Sequence, residues 1–129
     1  MKRFMQLLGV FYLLMGGINL WLSLTNIELY GVWKNSAFLV LYRVVFSLPE
    51  STLLLCILTV ALFEMILGSI LLFSQIIRRG ALYVAITFHV LLLPLGWWSM
   101  LNIVFIILYC CVLKSIKPTD LRAGITRFE

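Results

Sequence analysis

Apolar residues run almost unbroken from Leu53 to Phe73, a stretch of 21 residues whose only ionisable side chain is Glu64. A run of that length predicts a membrane-spanning helix. A helix that is apolar on every side has no face for water, but in lipid it satisfies its own backbone hydrogen bonds. A carboxylate near the middle of such a helix costs roughly 2.5–3.5 kcal/mol on insertion scales. We therefore expect Glu64 to face protein or trapped water, to be protonated, or to have a partner.

Three further apolar segments predict an all-α fold, an integral membrane four-helix bundle. The segment between the first and second spans holds an apolar piece that is too short to cross and is interrupted by Arg43. That pattern is typical of a short interfacial or re-entrant helix. Residues 1–129 are taken as one membrane domain. Its predicted spans are residues 4–24, 50–75, 80–96 and 99–114, and a cytoplasmic tail follows at 115–129.

The composition agrees with a membrane protein and argues against several other classes. Hydrophobic residues make up 64% of the chain and charged residues 12%, against roughly 25% charged in a soluble domain. The chain shows neither a basic cluster interleaved with solvent-facing aromatic residues nor a glycine-rich phosphate loop, so we expect no nucleic-acid binding. The three cysteines have no metal-ligand spacing, and we predict no metal site.

The charges and tryptophans predict the orientation. With four spans, both termini lie on the same side of the membrane. Of the basic residues, only Lys34 and Arg43 lie on the opposite side. By the positive-inside rule the side with both termini is cytoplasmic. All four tryptophans fall at the predicted outer boundary, as an aromatic belt would. The basic residues of the predicted cytoplasmic side are Lys2, Arg3, Arg78, Arg79, Lys114, Lys117, Arg122 and Arg127.

Two ionisable side chains lie near the middle of their spans, Glu64 in the second and His89 in the third. Because these spans are antiparallel, the two side chains are expected at similar depth and could form one buried polar site. A pair that only fixes helix register is one interpretation. A proton-coupled translocation site, or a contact to the polar headgroup of a quinone, is the other. Asn19, in the outer half of the first span, is a further candidate for this binding or proton site, although a packing face explains it more simply.

Three short patterns resemble the DoxX-like family of small four-helix membrane proteins. In the first span, GGINL resembles the family's G-x-x-K-L, with Asn19 where lysine is common. In the second, FEMILGSILLF resembles its E-x-x-x-G-x-x-L-L element, and the matching positions are Glu64, Gly68, Leu71 and Leu72. The turn RRGALYVAI resembles its basic residue followed by small and apolar residues. The resemblance implies a four-helix bundle that serves as a partner or subunit of membrane redox or thiol-handling systems.

The function expected from the sequence is that of a small integral membrane subunit or accessory protein of a larger complex, respiratory or otherwise redox. Such a protein would lie in the bacterial inner membrane with lipids and other membrane subunits as partners; a homo-oligomer is left open. We find no complete catalytic constellation and do not expect an enzyme by itself. No cofactor is predicted, although the polar site could contact a quinone. The alternatives are a small proton-coupled exporter of cationic or lipophilic compounds that uses Glu64, and a lipid- or quinone-binding membrane protein.

Overall fold

The computed structural model describes residues 2–74 and 77–115, and every regular element in these ranges is helical. Short 3₁₀ turns at Ile27–Gly31, Leu93–Leu95 and Trp97–Met100 connect the α-helices. The α-helices are α1 (Lys2–Thr25), α2 (Val32–Ser36), α3 (Val40–Val45), α4 (Glu50–Phe73), α5 (Arg78–Leu92) and α6 (Leu101–Ser115).

Three helical segments are long and apolar enough to cross a membrane, at Arg3–Thr25, Glu50–Phe73 and Arg78–Leu95. The described residues therefore confirm the all-helical fold, and their three candidate spans agree with a membrane protein. The apolar helix α6 has only 15 residues, below the roughly 17 that a spanning helix needs. The four-helix membrane bundle therefore stays a prediction. Residues 116–129 of the predicted tail lie outside the described residues.

Helices α1 and α4 pack closely because small residues face each other along both. A Cβ on Gly68 would lie 2.7 Å from the carbonyl oxygen of Gly9, and one on Gly16 would lie 2.8 Å from that of Ala61. Since the later glycine of α1 meets the earlier residue of α4, the two helices run antiparallel. Close approach at small residues is a common way for membrane helices to associate.

Helix α6 turns back along α5 and also packs against α1. The rings of Phe11 and Phe105 stack with centroids 4.9 Å apart. The main hydrophobic core lies where α1, α4, α5 and α6 meet. Its buried members are Met5, Leu8, Tyr12, Leu67, Leu71, Ala81, Leu82, Ala85 and Tyr109.

The segment between α1 and α4 folds over the end of the α5–α6 hairpin. The predicted short helix is two helices, because the extended backbone at Ala37 (ψ 133°) separates α2 from α3. The amide of Phe38 donates to the carbonyl of Pro94 at 2.8 Å. Gly96 has φ +118°, and a Cβ there would collide with the carbonyl of Ser36. Glycine at position 96 therefore lets the end of α2 pack against the turn between α5 and α6. The interfacial or re-entrant position of the segment with α2 and α3 stays a prediction.

Candidate functional site

Glu64 lies on the buried side of α4 and is 5% exposed. On the facing side of α1, the side-chain amide of Asn19 donates from Nδ2 to Oε2 of Glu64 at 2.7 Å. The amide oxygen of Asn19 accepts from the hydroxyl of Tyr30 at 2.8 Å. We call Asn19, Tyr30 and Glu64 the Glu64 cluster. The contact bridges α1, α4 and the turn that follows α1.

Asn19 suits this position because its amide is both a donor and an acceptor. Burial raises the pKa of the Tyr30 phenol, and the nearby Glu64 carboxylate raises it further. The phenol therefore keeps its proton and donates a hydrogen bond to the amide oxygen of Asn19. Tyr30 is held in place by apolar packing of its own turn against Leu53 and Ile57 of α4. The segment that leaves the first helix thus returns to complete the polar contact inside the bundle.

A second polar group surrounds His89, which is 4% exposed on the buried face of α5. Its Nε2 lies 2.9 Å from the hydroxyl of Tyr12 and 3.2 Å from that of Tyr109. Its Nδ1 lies 2.5 Å from the amide oxygen of Asn102. The ring of Phe105 stacks on the imidazole with centroids 5.0 Å apart. We call Tyr12, His89, Asn102 and Tyr109 the His89 cluster.

The partners of His89 define its tautomer. The amide oxygen of Asn102 can only accept, so Nδ1 of a neutral His89 carries the hydrogen and Nε2 is the acceptor. Tyr12 then donates to Nε2, and Tyr109 donates to the Tyr12 hydroxyl at 3.2 Å. The result is a directed chain of hydroxyls, from Tyr109 through Tyr12, that ends at a basic nitrogen. A proton delivered to His89 would bind at Nε2 and reverse the direction of that chain.

The structure does not bring Glu64 and His89 together. Within residues 2–74 and 77–115, no hydrogen bond or ion pair joins them, and each has its own partners. The physical reason is α1, which supplies Tyr12 to one cluster and Asn19 to the other. These two residues are seven apart, so they lie on one face of the helix about 10 Å from each other. A binding or proton site formed by Glu64, His89 and Asn19 stays a prediction.

Four members of the two clusters were not predicted from the sequence as site residues: Tyr12, Tyr30, Asn102 and Tyr109. Two signals could have pointed to them. Asn102 is an amide in an apolar helix, and Tyr109 follows it by seven residues, which places both on one face. Tyr12 is a tyrosine well inside a span rather than at its boundary. No such signal marks Tyr30, which comes from the turn.

The pockets of the described residues differ in character. A pocket of about 480 Å³ between the end of α1 and the start of α4 is lined by Glu28 and Glu50, among others. Two other pockets lie between α4 and α5, and their lining is almost wholly apolar. In the described ranges, no group of three His, Cys, Asp or Glu side chains is placed to hold a metal ion. The three cysteines are free thiols.

No family model matches this chain, and no curated protein or solved structure matches it either. The DoxX-like resemblance rests only on its short motifs. Of the positions that carry it, Glu64 and Gly68 are buried at the contact with α1, so the structure gives each of them a packing or hydrogen-bonding role. The function is therefore argued below from geometry.

Proposed function

We propose that this chain is a small integral membrane subunit that binds a helix of another membrane protein along the outward face of α1. The observation that carries the proposal is an open notch at Gly17. A Cβ on Gly17 would meet no atom of the described residues within 4 Å, whereas the neighbouring Gly16 packs against α4. The two consecutive glycines therefore serve different faces of the helix, and the described residues occupy only one of these faces.

Gly17 lies in a stripe that has the spacing of a helix–helix contact. Exposed apolar residues alternate at intervals of three and four along α1, a spacing that matches the seam of a left-handed helix pair. Small residues in such a seam let two backbones approach closely in lipid. The stripe consists of Leu7, Val10, Leu14, Gly17, Trp21 and Leu24, and its large side chains are 44–67% exposed.

Four transmembrane segments are part of this proposal. Helix α6 follows directly on the 3₁₀ turn Trp97–Met100. At about 1.5 Å and 2.0 Å per residue the two together reach ~30 Å, which equals the thickness of the hydrocarbon core. The basic end of the helices, with Arg3, Arg78, Arg79 and Lys114, would then face the cytoplasm. The bacterial inner membrane and a respiratory or other redox assembly are the location and partner class that the DoxX-like resemblance favours.

The test is purification in a mild detergent followed by mass spectrometry of the proteins that copurify. We expect a defined membrane partner with the natural chain and at least a tenfold lower yield of it with Gly17→Leu, because the larger side chain fills the notch. Gly31→Leu is the matched control, since Gly31 also has open space around it. Equal yields from Gly17→Leu and the natural chain would contradict this contact, and a natural chain without partners would contradict the subunit function.

One observation favours a second function, proton-coupled export of a cationic compound. The pocket between the end of α1 and the start of α4 carries two carboxylates, Glu28 and Glu50. Glu64 follows Glu50 by 14 residues, close to four helical turns, and so lies on the same side of α4. Uptake of ethidium by proteoliposomes under a pH gradient tests this. Export predicts uptake that is abolished by Glu64→Gln, and an identical leak with and without the purified protein would contradict it.

A further inference from the structure

Helices α4 and α5 leave a continuous apolar groove between them, which we call the α4/α5 groove. Its two parts have volumes of about 640 and about 200 Å³ and share Phe63 and Val84. The hydroxyls of Thr59, Thr87 and Tyr42 of α3 line the larger part. Each donates to a backbone carbonyl, the threonines within their own helices and Tyr42 to Leu91. The groove therefore presents an almost wholly apolar surface that opens sideways, towards the hydrocarbon of the bilayer.

The dimensions of the groove favour lipid chains over a protein helix. On α4 it runs from Thr59 to Ile70, or ~16 Å at the helical rise, which is about the hydrocarbon depth of one leaflet. Spread over that length, the volume gives a mean cross-section of roughly 50 Å², against roughly 80 Å² for a helix about 10 Å across. Acyl chains fit within such a space, whereas a helix would lie across its open side.

The groove ends at a concentration of positive charge. Ile77 and Gly80 line its inner end, and Arg78 and Arg79 lie between them in the first turn of α5. Nε of Arg78 is buried and has no hydrogen-bond partner among the described residues. Arg3 and Lys114 lie at the same end of the helices. The acids of the described ranges, Glu28, Glu50 and Glu64, lie at the other end or in the middle, so within residues 2–74 and 77–115 these cations have no opposite charge nearby.

We infer that the α4/α5 groove binds an anionic phospholipid, with its acyl chains along Phe63 and Val84 and its phosphate at Arg78 and Arg79. An apolar groove that ends at two arginines is complementary to a molecule with a hydrocarbon body and an anionic head. This inference is independent of the partner contact proposed on α1, because the groove lies between α4 and α5 and needs no second protein.

The experiment measures lipid binding to the purified full-length chain in nanodiscs by native mass spectrometry. The probes are phosphatidylglycerol and phosphatidylcholine with identical acyl chains. We expect phosphatidylglycerol to be retained preferentially. Arg78→Gln and Arg79→Gln should each lower its affinity roughly fivefold, the effect of about one basic residue at a membrane surface. Val84→Trp should lower it as well, because the indole fills the groove.

Two matched controls separate a site from general surface charge. Arg3→Gln removes a positive charge at the same end but away from the groove, and Val104→Trp adds the same bulk to an exposed position of α6. Both should bind phosphatidylglycerol like the natural chain. If Val84→Trp does not fold, Ile66→Trp fills the same groove from α4.

Three results would overturn the inference. An equal loss with Arg3→Gln would show a diffuse charge effect. Unchanged binding with folded Val84→Trp or Ile66→Trp would show that the acyl chains lie elsewhere. Competition by inorganic phosphate as strong as that by the lipid would show an anion site that does not use the groove.

Discussion

Helix α4 meets its two neighbours in different ways. Against α1, glycines at 9, 16 and 68 bring the backbones so close that even one added methyl group would collide with a carbonyl. Against α5, the rings of Phe63 and Phe88 meet with centroids 5.0 Å apart, and an open groove remains beside them. Both contacts are made of apolar residues. In lipid, where apolar side chains gain little from burial, the size of the side chains rather than their hydrophobicity decides which pair of helices packs closely.

The largest effect is expected from Gly68→Val in the close contact. Its side chain would lie against the Gly9 carbonyl and the Leu13 amide, and overpacking of this kind costs about 3 kcal/mol. The free energy of unfolding, measured by titration with sodium dodecyl sulfate, should fall by that amount. Gly80→Ala is the control, since a Cβ at Gly80 meets none of the described residues within 4 Å and alanine favours the helix. Equal losses in both variants would contradict the comparison.

The polar part of the same contact should be the next most sensitive. Asn19→Leu leaves the buried Glu64 without its hydrogen bond, at a cost of about 2 kcal/mol. Glu64→Gln keeps a partner for Asn19 and should cost less than half as much. The double variant Asn19→Leu/Glu64→Leu should recover stability relative to Asn19→Leu, because both polar groups are then gone. Additive losses in this cycle would show that the hydrogen bond does not couple the two residues.

A third prediction concerns what holds α5 in place if α4 does so only loosely. We expect His89→Leu to detach the α5–α6 hairpin from α1, because it leaves the Tyr12 hydroxyl without its acceptor and the Asn102 oxygen without its donor, at a cost of about 1–2 kcal/mol. Hydrogen exchange of α5 and α6 amides should become faster, while exchange in the α1/α4 pair stays the same. Faster exchange throughout the chain would instead indicate global destabilisation.

The smallest effect is expected from Val84→Phe in the groove. Val84 is 45% exposed, so the larger ring enters free space and the free energy of unfolding should change by no more than about 0.5 kcal/mol. Thermal unfolding in the same detergent checks this. A loss as large as that of Gly68→Val would show that α4 and α5 pack more closely than the groove indicates.

Particular residues show how far the sequence could be interpreted. The length of the apolar runs predicts α1, α4 and α5 within a few residues of their observed ends, because a membrane helix must satisfy its backbone within one continuous segment. The break between α2 and α3 was not predicted, since it depends on a hydrogen bond from Phe38 to Pro94, distant in the sequence. Glu64 was identified as a residue in need of a partner, and Asn19 as a candidate, but nothing local connects the two.

By itself the sequence determined that the chain is helical and apolar, where its long helices begin and end, and which buried charge needs a hydrogen bond. Periodicity and hydropathy are local, so they act within one helix at a time. Which helices touch was decided only by the tertiary structure, through side-chain size at each contact. Because glycines bring α1 rather than α5 against Glu64, the carboxylate binds Asn19, and His89 binds two tyrosines and Asn102 instead of Glu64.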